Sequence, residues 1–181
     1  DKGTPEVFGL TEGCESWEIK NNTSDRVIFK RSDYTGTDWL NDFEARYPED
    51  NTDYTRLKIL TDWIVSTDRD AATNASLGST VTINGVGYTT DSKEYRLAKF
   101  KAEFERHFVK VPMLYYYIFT EVFLMVDNRA KNCFVSYEPD ANGNWKWSFR
   151  THYDHDTSYG NDNSGGLTFT YGLEDIDSVG N

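Results

Sequence analysis

Between Pro112 and Met125 only Thr120 and Glu121 interrupt a run of Met, Leu, Tyr, Ile, Phe and Val. Pro112 suits the first turn of a helix. A helix over this stretch is apolar nearly all round, so it is expected to be central and buried, with the rest of the chain around it. The stretch is too short to cross a bilayer, which takes about 18–20 apolar residues. The covering material is aromatic. Apolar residues make up only 38% of the 181, but 11 Phe, 12 Tyr and 5 Trp supply enough area for a core. Disorder of the whole chain is thereby excluded, and the length suits a single domain spanning 1–181. A start at Asp1 rather than Met points to a processed chain or a segment of a longer protein.

Local patterns predict what surrounds that helix. Residues 16–20 and 26–30 read as short strands about a polar turn. Thr37 and Asp38 open a helix with Trp39, Leu40 and Phe43 on one side, stopped near Pro48. Residues 53–66 form an amphipathic helix through Tyr54, Leu57, Leu60, Ile64 and Val65. A loop follows over 68–79, then strands 80–83 and 86–90 about Asn84-Gly85, a strong hairpin signal. Residues 72–91 thus read as a hairpin insertion. Ser92 caps a helix to about His107, whose apolar side holds Tyr95, Leu97, Phe100, Phe104 and, just beyond, Phe108. His107 there reads as a complement to the helix dipole. After the apolar helix, residues 133–137 and 145–153 make a second hairpin joined by Pro-Asp-Ala-Asn-Gly-Asn. A polar loop over 154–166 leads to one more strand at 167–171. The fold class is α+β: a mostly helical lobe carrying small β-hairpins.

Charge and cysteine content narrow the function. The net charge is -11, which argues against a general grip on a nucleic-acid backbone. It suits a cationic partner or a divalent metal, though solubility alone accounts for it. Cys14 and Cys133 lack zinc-ligand spacing and read as two buried thiols.

Two polar clusters flank the second hairpin. The first is Val126-Asp127-Asn128-Arg129-Ala130-Lys131-Asn132, where the apolar helix gives way to a strand. The second is His152-Tyr153-Asp154-His155-Asp156-Thr157-Ser158-Tyr159-Gly160. A hairpin brings its ends together, so Asp127 and Asn132 are expected near Asp154 and Asp156. Carboxylates and an amide gathered this way suit a hard cation such as Mg2+. Asp127 would then orient or deprotonate a hydroxyl while the metal holds phosphate oxygens. With 18 Asp and 13 Asn, chance supplies about one Asp-x4-Asn match, so the order of parts matters more than the spacing. That order is buried helix, Asp-x4-Asn, hairpin, then an Asp-led glycine-containing loop, as in a protein-kinase catalytic lobe.

Residues 116–160 resemble the spore-coat kinase family CotH, which has an atypical protein-kinase fold. The matching pieces are Tyr117-Ile-Phe-Thr-Glu121, Val126-Asp127-x4-Asn132 and Tyr153-Asp-His-Asp-Thr-Ser-Tyr-Gly160. The resemblance implies that Asp127 is the catalytic-loop aspartate and Asn132 the metal-binding asparagine. It places Asp154 or Asp156 at the metal-binding aspartate of the DFG segment. Arg129 falls where many kinases carry a phosphate-facing lysine, and Arg129 or Lys131 would offset phosphate charge. The implied cofactors are Mg2+ or Mn2+ with ATP, and the implied partner is a protein hydroxyl substrate. The segments Asp42-Phe-Glu-Ala-Arg-Tyr-Pro48, Leu60-Thr-Asp-Trp-Ile-Val-Ser-Thr-Asp68 and Leu167-Thr-Phe-Thr-Tyr-Gly-Leu-Glu-Asp175 resemble CotH-related parts of tailed-bacteriophage structural proteins. The chain departs from a kinase in having no Gly-rich nucleotide loop before a strand, no Val-Ala-x-Lys pattern, and Val126 before Asp127.

Other expectations compete. A structural virion or surface module could keep the lobe as a scaffold, with virion or surface proteins as partners. Asp154, Asp156, Ser158, Gly160 and Asp162 alternate like calcium ligands, but the EF-hand glycine and glutamate positions hold Tyr159 and Gly165. His152 and His155 fall on opposite faces if the strand continues, against a shared ligand set. Trp145 and Trp147 share a strand face, which serves cross-strand packing or, if exposed, sugar stacking.

Overall fold

The computed structural model describes residues 9–20, 37–66, 79–90, 92–125, 128, 132–152, 154, 155, 158, 159 and 161. In chain order these form β1 (Glu15–Ile19), a 3-10 turn (Asp38–Asp42), β2 (Phe43–Tyr47), α1 (Thr55–Ser66), β3 (Thr80–Ile83), β4 (Val86–Thr89), α2 (Lys93–His107), α3 (Lys110–Val122), β5 (Cys133–Pro139) and β6 (Trp145–His152). The protein is α+β, with three α-helices and two antiparallel sheets among the described residues. The expected strands at 26–30 and 167–171 lie outside them, as does nearly all of the loop 68–79. The chain divides into two compact units, Asp53–His107 and the remainder.

The larger unit is built on a four-stranded sheet of order β2-β1-β5-β6. The β5–β6 hairpin is therefore not isolated, because β5 also pairs with β1, matching Trp17 to Val135 and Ser16 to Ser136. Strand alternation separates two faces. Trp17, Val135, Tyr137, Trp147 and Phe149 fall on one face by register. Helix α3 packs there, with the Tyr116 and Phe149 rings 5.2 Å apart. Ser16, Ser136 and Ser148 line up across the other face, all buried. Ser136 and Ser16 share a hydroxyl hydrogen bond of 3.0 Å.

Two expectations are corrected here. The helix expected from Thr37 toward Pro48 is a five-residue 3-10 turn followed by strand β2. Apolar spacing around Trp39 imitates a helix, but a distant partner decides. Strand β2 pairs with β1, and Arg46 reaches back to bond the buried carboxylate of Glu18. Lys20 and Glu44 extend this charge cluster, 2.9 Å apart. The second correction concerns α3, which is not buried all round. Tyr116 and Thr120 are buried, but Val111, Leu114, Tyr115, Tyr117, Ile118 and Val122 are exposed. One sheet covers one side of a helix, and apolarity alone supplies no second layer.

The smaller unit sets α1 against α2, with the β3–β4 hairpin also packed on α2. The Asp53 carboxylate accepts a bond from the Thr55 N–H at 3.0 Å at the start of α1. Ser92 caps α2 as expected, its hydroxyl accepting the Tyr95 N–H at 3.1 Å. The hairpin turns at Asn84 and Gly85, with φ of 49° and 81°, the two left-handed residues a tight turn of this hand requires. Leu57, Leu60, Trp63 and Tyr95 are buried, whereas Tyr54, expected on the apolar side of α1, is exposed. Trp63 stacks on both Phe100 and His107, with centroids 4.8 and 4.2 Å away, and its indole N–H donates to Glu103 at 2.9 Å. Leu97 and Ile64, expected on the apolar sides, are exposed. The dipole reading of His107 is replaced by packing. Burial, then the nearby Arg106 charge, holds its pKa below the usual imidazole value, so the neutral ring is favoured.

Two predictions follow from these contacts. Arg46→Met removes both hydrogen bonds to a Glu18 carboxylate that is 1% exposed and leaves it the longer 3.7 Å contact to Lys20, and should cost about 3 kcal/mol in urea unfolding. A Glu18→Gln/Arg46→Met double variant should recover most of that loss. Because the His107 pKa is lowered from 6.5, the unfolded chain binds its proton first as pH falls. The stabilisation is present above that value and is lost below it. Stability measured between pH 7.5 and 5.5 should fall less steeply in His107→Phe than in the parent chain.

Candidate functional site

The β5–β6 hairpin determines where the two polar clusters begin. Cys133 pairs with His152, so Asn132 and Asp154 leave the same end of the hairpin. The pairing register shifts by one residue between Cys133 and Val135, a bulge at the end that carries the candidate site. Asn132 has a left-handed φ of 54° and donates its N–H to Ile19 C=O at 3.0 Å, continuing the β1–β5 edge. Asp154 is also left-handed, at φ 58°, and its side chain is exposed.

The turn that leads into Asn132 starts from the end of α3. Met125 N–H bonds Thr120 C=O at 2.8 Å and Leu124 N–H bonds Glu121 C=O at 3.2 Å. These two bonds form a Schellman cap, with Leu124 at φ 50° in the position that glycine usually fills. A leucine in that region costs roughly 1–2 kcal/mol. The turn is then latched from below. Tyr116 Oη donates to Asn128 C=O at 2.6 Å, and Asn128 Nδ2 donates to Asn132 C=O at 3.1 Å. Asn128 is fully buried. The 154–161 side is tied to the same helix end. Tyr159, left-handed at φ 59°, donates its N–H to Phe123 C=O at 2.7 Å and sets its ring edge-on to Phe123. Ser158 Oγ donates to His155 C=O at 2.6 Å, closing a tight turn after Asp154.

Of the six residues expected to form the site, the structure places Asn132 and Asp154 at one end of one hairpin. Asp127, Arg129, Lys131 and Asp156 lie outside the described residues. Among the described residues no group of three or more His, Cys, Asp or Glu is arranged to hold a metal. Asn132 and Asp154 bring oxygen donors, which fit a hard cation rather than zinc or copper. Of the alternating calcium-like set, Asp154 is exposed and Ser158 donates within its own turn, while Asp156, Gly160 and Asp162 lie outside. Strand β6 ends at His152, so His152 and His155 are not parts of one continuing strand.

The tryptophan pair packs rather than forming a platform. Tyr137 lies against both rings, at 5.5 Å from Trp145 and 5.1 Å from Trp147. Trp147 is buried and only Trp145 is partly open. Both cysteines are free thiols and buried, as expected. Burial pushes the Cys133 thiol up to about 12 and drives the Tyr116 hydroxyl well above its ordinary value, so neither is a nucleophile at neutral pH. Sequence reasoning missed the Tyr116–Asn128 latch and the strained Leu124. Three consecutive tyrosines gave no sign of which one turns inward, and the helix end lacks the glycine that marks such a cap.

Comparison of the chain with protein-family models, with curated proteins and with solved structures finds no match.

The latch and the raised pKa values of Cys133 and Tyr116 set an alkaline limit. A group whose pKa is raised on folding contributes stability that is present below its unfolded value and is lost as pH climbs toward the folded one. For Cys133 that window runs from 9.0 to about 12. Urea midpoints should therefore decline from pH 9 upward, and a Cys133→Ala/Tyr116→Phe double variant, less stable at pH 7.5, should show a shallower decline.

Proposed function

We propose that this chain is a CotH-like lobe that transfers a phosphoryl group from a nucleotide to a Ser or Thr hydroxyl of a protein. The observation that carries this reading is that Asn132 and Asp154 leave the same bulged hairpin end, with four left-handed residues, Leu124, Asn132, Asp154 and Tyr159, around it. Strain of this kind persists where surrounding bonds over-determine it, and it gathers at functional sites. Asn132 with Asp154 or Asp156 would hold Mg2+ or Mn2+, which supplies charge neutralisation for the phosphates. Asp127 accepts the proton of the attacking hydroxyl as its oxygen bonds to phosphorus and the bond to the leaving diphosphate breaks. Arg129 or Lys131 balances the negative charge on the transferred group.

A second reading is a non-catalytic module of a virion or surface assembly that keeps this lobe as a scaffold. It is favoured by a chain with no Gly-rich nucleotide loop and no Val-Ala-x-Lys pattern.

Thermal melting with Mg2+, Mn2+ or Ca2+, each with and without ATP, separates the two. A ligand at about 100 times its Kd adds roughly 2.7 kcal/mol to the native state. For a chain of this size that raises Tm by roughly 5–10 °C. The kinase-like reading requires this rise with ATP and Mg2+ or Mn2+, and its loss in the Asp154→Asn/Asp156→Asn variant. A rise with Ca2+ alone identifies a structural ion site, and no rise with any ligand favours the scaffold.

A further inference from the structure

Helix α3 packs with Tyr116 and Thr120 and turns a second apolar face outward. Val111, Leu114, Tyr115, Ile118 and Val122 recur at i, i+3, i+4, i+7 and i+11, the spacing of a helix face made for packing. Their exposure runs from 48% at Leu114 to 70% at Tyr115. Scattered exposed apolar residues are ordinary, but a contiguous stripe along a whole helix marks an interaction surface.

The charges beside the stripe indicate what covers it. Lys110 and Glu121 are eleven residues apart, close to three turns, so they stand on the same flank within about 20° of one another. Their midpoint falls between Tyr115 and Tyr116, at the centre of the stripe. When two such helices pack antiparallel about a two-fold axis, each flank meets the same flank of the other helix. Lys110 of one copy then comes opposite Glu121 of the other, twice, while the apolar residues meet between them. A parallel pair sets each flank against the opposite one and loses this match. The surface is complementary to itself, as an isologous contact must be. A lipid surface fits less well. Interfacial helices carry Lys and Arg on their outer polar face, whereas the other face of α3 is packed on the sheet and the chain carries -11 net charge.

We propose that the outward face of α3 is a homodimer interface, in which two copies pack these helices antiparallel about a two-fold axis with Lys110 of each opposite Glu121 of the other. The net charge of both copies opposes this contact, so salt should tighten it overall by screening long-range repulsion.

Sedimentation equilibrium on the full chain tests it. The expected result is a monomer–dimer equilibrium below about 100 µM, tighter at 0.5 M than at 0.05 M NaCl. Ile118→Asp places a carboxylate in the stripe at an exposed position, and should give a monomer with unchanged far-UV circular dichroism. Lys110→Glu and Glu121→Lys should each raise the dimer Kd about tenfold, and the Lys110→Glu/Glu121→Lys double variant should return it to within about threefold of the parent. A chain that stays monomeric up to about 100 µM overturns the proposal. So does a dimer indifferent to Ile118→Asp, a charge pair that the double variant fails to restore, or a monomer that floats with phosphatidylserine-containing vesicles.

Discussion

Strand β5 is hydrogen-bonded along both edges, to β1 on one side and β6 on the other, and the larger unit hangs on that double pairing. Through β1 it joins residues more than a hundred positions apart. Through β6 it aligns the aromatic face on which α3 rests. The backbone groups of a buried strand must all be satisfied, so β5 cannot shift without breaking two ladders. A one-residue slip would exchange its faces and move Val135 and Tyr137 to the side that holds the serine row. At its first residue Cys133 still pairs with both Ile19 and His152, and Asn132 stands next to it.

The same rigidity explains how a strained turn survives. Leu124 occupies a conformation suited to glycine, and Asn132, Asp154 and Tyr159 share its handedness. Three of them are held by hydrogen bonds: the Schellman cap behind Leu124, the Ile19 carbonyl and the Asn128 amide at Asn132, and the Phe123 carbonyl at Tyr159. Tyr116 connects the two levels. Its ring belongs to the packing of α3 on the sheet, and its hydroxyl belongs to the turn. Burial keeps that hydroxyl protonated, which is the form that can donate. Core and candidate site are thus one construction.

Helix α3 serves two sides at once. Its inner face supports the sheet and the turn, and its outer face carries a stripe with a charge of each sign at its two ends. A dimer formed through that stripe would stiffen the helix whose C-terminal cap shapes the site. Association and site geometry would then be linked through Tyr116, Leu124 and Phe123, which lie within eight residues of one another.

Local chemistry was enough to read several elements from the chain alone. Asn84-Gly85 declares a turn because few other residues accept two left-handed positions. Ser92 declares a cap because its hydroxyl meets an orphan N–H three residues on. The alternation in residues 133–137 and 145–152 declares a hairpin, and the hairpin declares that Asn132 and Asp154 leave it at the same end. The sequence misled where a partner distant in the chain decides. Trp39, Leu40 and Phe43 have helical apolar spacing, yet residues 43–47 are a strand because β1 offers an edge and Arg46 bonds Glu18 there. The run from Pro112 to Met125 looks buried on every side, yet hydrophobicity states only a demand for cover. It was the tertiary structure, with the four-stranded sheet against one face of α3, that decided which tyrosine became a latch and which residues were left outward.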